Sequence, residues 1–258
     1  MPRSLWTGSL SFGLVNVPVR LETAVRDRDL HFRQIHRKDG APIEVQRWCS
    51  KEDVEVDYEE ITHGYELDEG GQVTVSDLEL QAVEPRRTRT IDIEQFVELA
   101  EVDPLYFDHP YWLVPASDDD GAVRAYRLLH DAMARAERVG LGRWVFHNRE
   151  YLAAVRPLDD VLALHTMRFA DELVDAGSLD LPSPSRKPSA REVKMAGALV
   201  DSLGAAFDPS QFEDSYRERV LNLIQAKARG EEPELPEAPE PAGDTDLMAA
   251  LEASLQGS

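Results

Sequence analysis

Residues 6–21 read WTGSLSFGLVNVPVRL, and this stretch decides the fold class. Apolar residues alternate with small or polar residues through most of it, which is the period-two pattern of a half-buried strand. Gly8 and Gly13 interrupt the alternation, and glycine within a strand pattern indicates a bulge or a sharp bend. The stretch therefore predicts strand structure that bends sharply, as at the corner of a barrel.

Further strand-like runs follow, with turn signals at Asp39-Gly40 and Gly70-Gly71 between them. From Ala122 to Val139 the apolar residues instead recur at helical spacing. The pattern predicts a mixed β and α fold with a β core and a peripheral helix. The predicted strands span 30–36, 43–49, 54–58, 72–75, 89–99, 110–115, 143–147, 151–156 and 161–167.

The composition changes after residue 176, so we expect residues 1–176 to form the core. Residues 177–190 form a Pro/Ser linker. Residues 191–229 are predicted to hold two helices, the first preceded by a capping-box pattern at Ser189 and Glu192. Residues 230–244 are rich in Pro and Glu, and such a stretch is predicted to be a disordered spacer because it cannot bury a core.

Residues 245–258 (TDLMAALEASLQGS) place apolar side chains at helical spacing, with Thr245 as the N-cap. A short amphipathic helix behind an acidic spacer is a common form of docking peptide. The same helix could instead pack back onto its own domain, and the residues leave both alternatives open. The candidate partner-binding residues are Leu247, Met248, Leu251 and Leu255.

The net charge of −21 is unevenly distributed along the chain. Residues 52–85 carry twelve acidic side chains and residues 230–258 carry eight, and neither block contains Lys or Arg. Residues 1–51 hold nine basic and five acidic side chains, and residues 121–156 hold seven and three. Charges more than about 10 Å apart are largely screened at 0.1 M salt, so local charge governs a phosphate contact. An acidic total is therefore compatible with a nucleic-acid partner.

The sequence contains no assembled catalytic or metal-binding motif. Its seven histidines lack the H-E-x-x-H spacing, and no P-loop, G-x-S-x-G or G-x-G-x-x-G motif is present. Cys49 is the only cysteine, which excludes an internal disulfide and a multi-cysteine zinc site. No apolar run approaches the roughly 20 residues of a membrane span, and the N-terminus lacks the apolar region of a signal peptide. These features predict a cytoplasmic, non-enzymatic protein without a cofactor.

Basic residues flank the Asp39-Gly40 turn and recur after residue 142. Contacts to a phosphate backbone require charge and reach rather than base-reading geometry, so a basic hairpin suits that role. An exposed polar hairpin would have the same composition, and the arginines between 124 and 138 are more typical of the solvated face of a helix. The candidate DNA contacts are Arg33, Arg37, Lys38, Arg47, Arg143, Arg149 and Arg156.

Seven motifs, in order along residues 1–229, resemble those of the bacterial Ku family. The first is the opening WTGSLSFGLVNVPV, and the longest is IDIEQFVELAEVDPLYFDHPYWLVP. The seven are Trp6–Val19, Phe32 with His36–Gly40, Tyr58–Ile61 with Gly64–Glu66, Ile91–Pro115, Asn148–Glu150 with Arg156-Pro157, Lys194–Leu203, and Phe207–Lys227.

The resemblance implies a β-barrel with long β-arms and helices, in which the arms of two copies interlock into a ring around duplex DNA. Such a ring contacts the backbone, ignores sequence and requires a free end. The family recruits a multidomain ATP-dependent DNA ligase for non-homologous end joining. The implied partners are thus double-stranded DNA ends, a second copy and that ligase, at the nucleoid. The hairpin at 33–47 and the stretch Arg143–Arg149 would face the channel, with the acidic blocks outward.

Two features depart from the family pattern. Many relatives carry a C-x-x-C-G-like element, whereas Cys49 is followed by SKEDVEVDY, so a metal knuckle is not expected. Many relatives end in a Lys-rich tail, whereas this sequence closes with Gln256–Ser258 and no basic extension, so tail-assisted DNA binding is not expected. The segment DLMAALEASL resembles the short helix of relatives with minimal tails, which implies ligase recruitment. A β-barrel protein-interaction module that binds no DNA is the alternative, and the acidic charge and helical tail favour it.

Overall fold

The computed structural model describes residues 4–85, 89–183 and 186–231. The chain divides into two compact units, Met1–Arg28 with Phe32–Ser178 and Asp29–His31 with Leu179–Ser258. The strands are β1 (Trp6–Phe12), β2 (Val15–Thr23), β3 (Trp48–Cys49), β4 (Val54–Glu55), β5 (His63–Glu66), β6 (Gln72–Val75), β7 (Thr90–Glu98), β8 (Phe107–Pro115), β9 (Arg138–Phe146), β10 (Arg149–Leu158) and β11 (Val161–Met167). The helices are α1 (Asp77–Val83), α2 (Asp120–Ala136), α3 (Ala190–Ser202) and α4 (Ser215–Ala228).

Seven strands of the first unit form a closed barrel in the order β1-β2-β8-β11-β10-β9-β7. Residues 6–21 supply its first hairpin, because Gly13 adopts a φ of 58° and allows a two-residue turn between Phe12 and Val15. Strands β1 and β7 close the barrel by parallel pairing, whereas all other barrel neighbours are antiparallel. The barrel and the mixed β and α content confirm the predicted fold class.

The barrel interior holds the main core, since alternate residues of each strand point to the same side of the sheet. On β10, Val155 belongs to this core, whereas Ala154 packs with Val139 and Met167 in a second cluster. The strand is therefore covered on both sides. The fully buried large side chains of the main core are Leu10, Val17, Val19, Leu21, Ile91, Leu113, Tyr126, Trp144, Val155, Leu162 and Leu164.

Helix α2 packs against the main core. Its Asp119 N-cap accepts a hydrogen bond from the backbone N–H of Ala122 at 3.1 Å. The buried Tyr126 hydroxyl donates to the Leu113 carbonyl on β8 and accepts from the Leu162 N–H on β11, each at 2.7 Å. One side chain thus fixes the helix to two barrel strands.

The predicted helix over 122–139 was too long at its C-terminal end. Helix α2 ends at Ala136 because Glu137 adopts a left-handed conformation with a φ of 53°, and β9 begins at the next residue. The predicted strand at 143–147 was correspondingly too short. The start of β9 contains two glycines, which lower strand propensity. They are required by packing, since a Cβ on Gly142 would overlap the carbonyl oxygen of Asp92 on β7.

Residues Phe32–Pro85, here called the arm, lie outside the barrel strands. The arm contains the hairpins β3–β4 and β5–β6 and the helix α1, which begins with a capping box formed by Ser76 and Glu79. The predicted strands at 30–36 and 43–49 are reduced to one bridge between Ile35 and Pro42 and to β3. The structure describes every arm residue, and none of them is buried.

The second unit contains α3 and α4, in agreement with the two helices predicted over 191–229. The capping box predicted at Ser189 and Glu192 is present, with the Ser189 hydroxyl accepting from the Glu192 N–H at 3.3 Å. Neither helix contains a buried residue. The predicted spacer after residue 231 and the predicted helix at 245–258 lie outside the described residues.

Candidate nucleic-acid interface

A tight turn at the start of the arm presents Arg37 and Lys38. The N–H of His36 donates to the carbonyl of Ala41 at 2.7 Å, and the N–H of Gly40 donates back to the carbonyl of His36 at 2.8 Å. Gly40 has a φ of 73°, which suits glycine at this position. The sequence signal Asp39-Gly40 therefore identified the turn correctly, and both basic side chains are exposed at its tip.

Asp39, the acidic residue in the turn, is bound to the turn itself. Its carboxylate accepts a hydrogen bond from the Ala41 N–H at 3.0 Å and lies 2.9 Å from Nδ1 of His36. The hydrogen bond from Ala41, and then that from His36, lower the pKa of Asp39. This carboxylate therefore supports the turn backbone, and it remains exposed next to Arg37 and Lys38 at the tip.

The two other predicted contacts in the arm flank this turn. Arg33 is exposed and precedes Gln34, whose carbonyl accepts from the Ile43 N–H at 3.1 Å. The guanidinium of Arg47 lies 5.2 Å from the centre of the Tyr58 ring, a cation–π contact that leaves its charge unneutralised. Among the described residues, Arg33, Arg37 and Lys38 form no ion pair with a carboxylate.

The predicted contact Arg143 has a different environment on the barrel strand β9. Its Nε lies 3.1 Å from Oε1 of Glu94 on β7, and its Nη1 lies 2.9 Å from Oε1 of Glu150 on β10. The hydrogen bond and charge of Glu150, followed by the charge of Glu94, raise the pKa of Arg143. Two carboxylates thus accept from Nε and Nη1 of this guanidinium and neutralise its charge.

Arg149 and Arg156 both lie on β10 but not in the same surroundings. The guanidinium of Arg149 lies 5.5 Å from the centre of the Tyr151 ring and 3.7 Å from Glu172. Nε of Arg156 donates to Nε2 of the half-buried His165 at 3.2 Å. Burial, and then the charge of Arg156, lower the pKa of His165, so the neutral ring that accepts this bond is favoured.

One basic run is missing from the predicted contacts although the composition reveals it. Residues 85–90 read PRRTRT and lie immediately after the acidic block 52–85. Arg86 and Arg87 lie outside the described residues. Arg89 is exposed directly before β7, and its carbonyl accepts a hydrogen bond from the Ser9 N–H at 2.9 Å.

The other sequence predictions concern binding of partners, metals and membranes. The predicted partner-binding residues Leu247, Met248, Leu251 and Leu255 lie outside the described residues. Within residues 4–85, 89–183 and 186–231, no three His, Cys, Asp or Glu side chains are grouped so that they could hold a metal ion. In the same part of the chain, no helix combines the length and apolar character needed to cross a membrane.

Comparison with known proteins identifies the family of this barrel. The family described as the Ku70/Ku80 beta-barrel domain matches residues 11–195. A protein of Anaeromyxobacter sp. (strain K) named non-homologous end joining protein Ku is 49% identical over 99% of this chain and 86% of its own length. Non-homologous end joining protein Ku 1 of Saccharopolyspora erythraea is 43% identical over 99% of this chain and 78% of its own length. Non-homologous end joining protein Ku of Opitutus terrae is 39% identical over 98% of this chain and 91% of its own length. The chain therefore belongs to the Ku β-barrel family.

Proposed function

We propose that this protein binds the ends of double-stranded DNA, without regard to sequence, as a ring-shaped homodimer that acts in non-homologous end joining. Its role is that of a non-enzymatic scaffold at the nucleoid in the cytoplasm. The relatives are named for end joining, which supports the pathway. The observation that best supports the ring is the exposure of the arm. This segment of more than fifty residues has no buried side chain within one chain.

The exposed apolar residues of the arm support a dimer. Val45, Leu78 and Val83 are 92%, 77% and 79% exposed, and aromatic residues of the arm are exposed as well. A segment with so little burial lacks the apolar contacts that offset the loss of chain entropy. The occupant proposed for this surface is the arm of a second copy, because two such segments can bury each other in a symmetric interface.

The cations of the arm support contact with the DNA backbone. Arg33, Arg37, Lys38 and Arg47 are exposed, and in the part of the chain that the structure describes none of them forms an ion pair with a carboxylate. Salt bridges between such cations and phosphates release counterions and need no base-specific geometry. The proposed contact surface also includes Arg149 and Arg156 on the barrel.

The recruitment of an ATP-dependent DNA ligase is proposed for residues 245–258. The support is the apolar stripe of Leu247, Met248, Leu251 and Leu255 behind an acidic spacer, a pattern that suits helix-in-groove docking. A chain shortened at residue 244 is expected to keep its DNA affinity while it loses the ability to stimulate the ligase.

The proposed function is tested by comparing DNA forms that differ only in the presence of an end. Gel shifts with a linear duplex, a covalently closed circle of the same sequence, and the circle after a single cut should show binding to the first and third only. A threaded ring requires an end, whereas adhesion to the backbone does not. Equal binding to the closed circle would contradict the ring, and no shift with any form would favour the interaction module that binds no DNA.

A further inference from the structure

Arg143 connects three neighbouring strands on the outer surface of the barrel. Strand β9 pairs with β7 on one side and with β10 on the other, and Arg143 lies directly opposite Asp92 of β7. The register of β7 shifts between Ile93 and Gln95, which leaves Glu94 outside the regular pairing. The shift therefore accompanies a short contact between Glu94 and the guanidinium, while Glu150 binds it from β10.

The cleft beside Arg143 is strongly acidic. It has a volume of about 280 Å³, and its lining includes Pro85, Asp92, Glu94 and Glu150 in addition to Arg143. Among the described residues that line the cleft, three carboxylates accompany one guanidinium, so this lining would repel a phosphate placed there. At an ionic strength of about 0.1 M these groups lie well within a Debye length of one another, so screening does not remove this repulsion.

The same surface receives the end of the arm. Glu84, the C-cap of α1, accepts a hydrogen bond from Nδ2 of Asn148 at 2.9 Å, and Pro85 follows it into the cleft. Asn148 lies in the turn between β9 and β10 and has a φ of 64°. The two strands bound together by Arg143 and Glu150 are therefore the strands whose connecting turn contacts the last residues of the arm.

We infer that Arg143 is a positioning residue: with Glu94 and Glu150 it holds the β9–β10 hairpin where the arm returns to the barrel, and it does not bind the DNA backbone. The inference rests on the proposed function. It removes Arg143 from the phosphate contacts expected from sequence.

Removal of the two carboxylates distinguishes a positioning role from a phosphate contact, because the two roles predict opposite signs. Replacing both acids (Glu94→Gln and Glu150→Gln) should weaken binding to linear duplex about two- to fivefold, the scale of exposed ion pairs. Arg143→Gln should have the same effect. If Arg143 contacted phosphate, freeing it from both acids would strengthen binding, and that result would overturn the inference.

The salt dependence provides a second readout that a folding defect alone does not change. Arg143→Gln and the double glutamine variant should leave the slope of log K against log salt unchanged, whereas removal of a phosphate contact reduces its magnitude by about 0.9. Arg143→Lys keeps the charge but cannot bridge both acids, so it should behave like Arg143→Gln. Wild-type affinity in any of the three variants, or a reduced slope, would overturn the inference.

Two controls separate this result from a failure of the proposed function. Arg124→Gln, on the exposed face of α2, should match the wild type in affinity and slope. The wild type itself must bind linear duplex and not closed circles. If it fails to do so, the proposed function is wrong. If the wild type binds as expected and the Arg143 variants bind with the same affinity as the wild type, only the positioning role is contradicted.

Discussion

At the scale of single residues, the arginines predicted as DNA contacts differ in whether a neighbouring carboxylate neutralises their positive charge. Composition shows that a segment is basic, but it does not show that Glu94, 49 positions before Arg143, lies beside that guanidinium in the folded chain. Neighbours of this kind are created by strand pairing across the barrel. The Asp39-Gly40 turn was predictable because its geometry depends on adjacent residues alone, and Arg37 and Lys38 at its tip remain predicted contacts.

Reversing the charge of Arg37, Lys38 and Arg47 together with glutamate should strongly weaken binding to linear duplex of any sequence. For every phosphate that the variant no longer neutralises, the magnitude of the slope of log K against log salt should fall by about 0.9. The measurement is a salt titration by fluorescence anisotropy with two duplexes of unrelated sequence.

The matched control reverses Arg124, Arg127 and Arg135 on α2, which changes the net charge by the same amount. It should retain affinity close to that of the wild type, because local rather than total charge governs the contact. If both triple variants lose affinity equally, the arm has no special role in binding.

At the scale of elements, the Tyr126 hydroxyl is the most specific link between α2 and the barrel. Tyr126→Phe leaves the Leu162 N–H and the Leu113 carbonyl without this partner in a buried site. We expect a loss of about 1–3 kcal/mol in the free energy of unfolding, measured by urea denaturation.

Tyr216→Phe is the control for the loss of a hydroxyl, because Tyr216 lies on α4, outside the arm, and is 68% exposed. It should change the free energy of unfolding by less than about 0.5 kcal/mol. Equal losses in the two variants would show that the buried hydroxyl does not support the helix.

The elements predicted best from sequence are those with a buried, regular face. Strand β11 coincides with the predicted 161–167, since five of its seven residues are buried and its apolar pattern is therefore complete. In the arm, β6 coincides with the predicted 72–75, but the rest of the arm was predicted less well. Its short hairpins bury nothing within one chain, so burial imposes no period on their sequence, and α1 went unpredicted despite its capping box.

At the scale of the whole molecule, the arm is expected to decide whether the protein is a monomer or a dimer. Replacing Val45, Leu78 and Val83 with serine should shift the sedimentation mass from dimer to monomer, because it removes apolar surface that is proposed to pack against the second copy. Circular dichroism should remain that of the wild type, since none of the three side chains contributes to the barrel core.

A second variant, in which three exposed apolar residues outside the arm are replaced with serine, controls for the general loss of apolar surface. Leu14, Leu128 and Val174 are 105%, 72% and 77% exposed, and they lie in the same unit as the barrel. This variant should remain a dimer. Dimers in both triple variants would place the subunit interface elsewhere than on the arm.

The two points where the chain leaves and re-enters the barrel lie on either side of one strand. Strand β2 ends at Thr23 beside the beginning of β1, and β7 begins at Thr90 opposite Ser9 of β1 on the other side. The start and finish of the long segment between β2 and β7 are thus separated by two strand spacings across the sheet and by about five residues along β1, roughly 20 Å in all. No strand pair of the barrel involves a described residue of that segment. The barrel can therefore form in a single newly synthesised chain before it meets a second copy. Folding of the barrel and the proposed encirclement of DNA are thereby separable, and the segment can vary in length without a change in the register of the barrel strands.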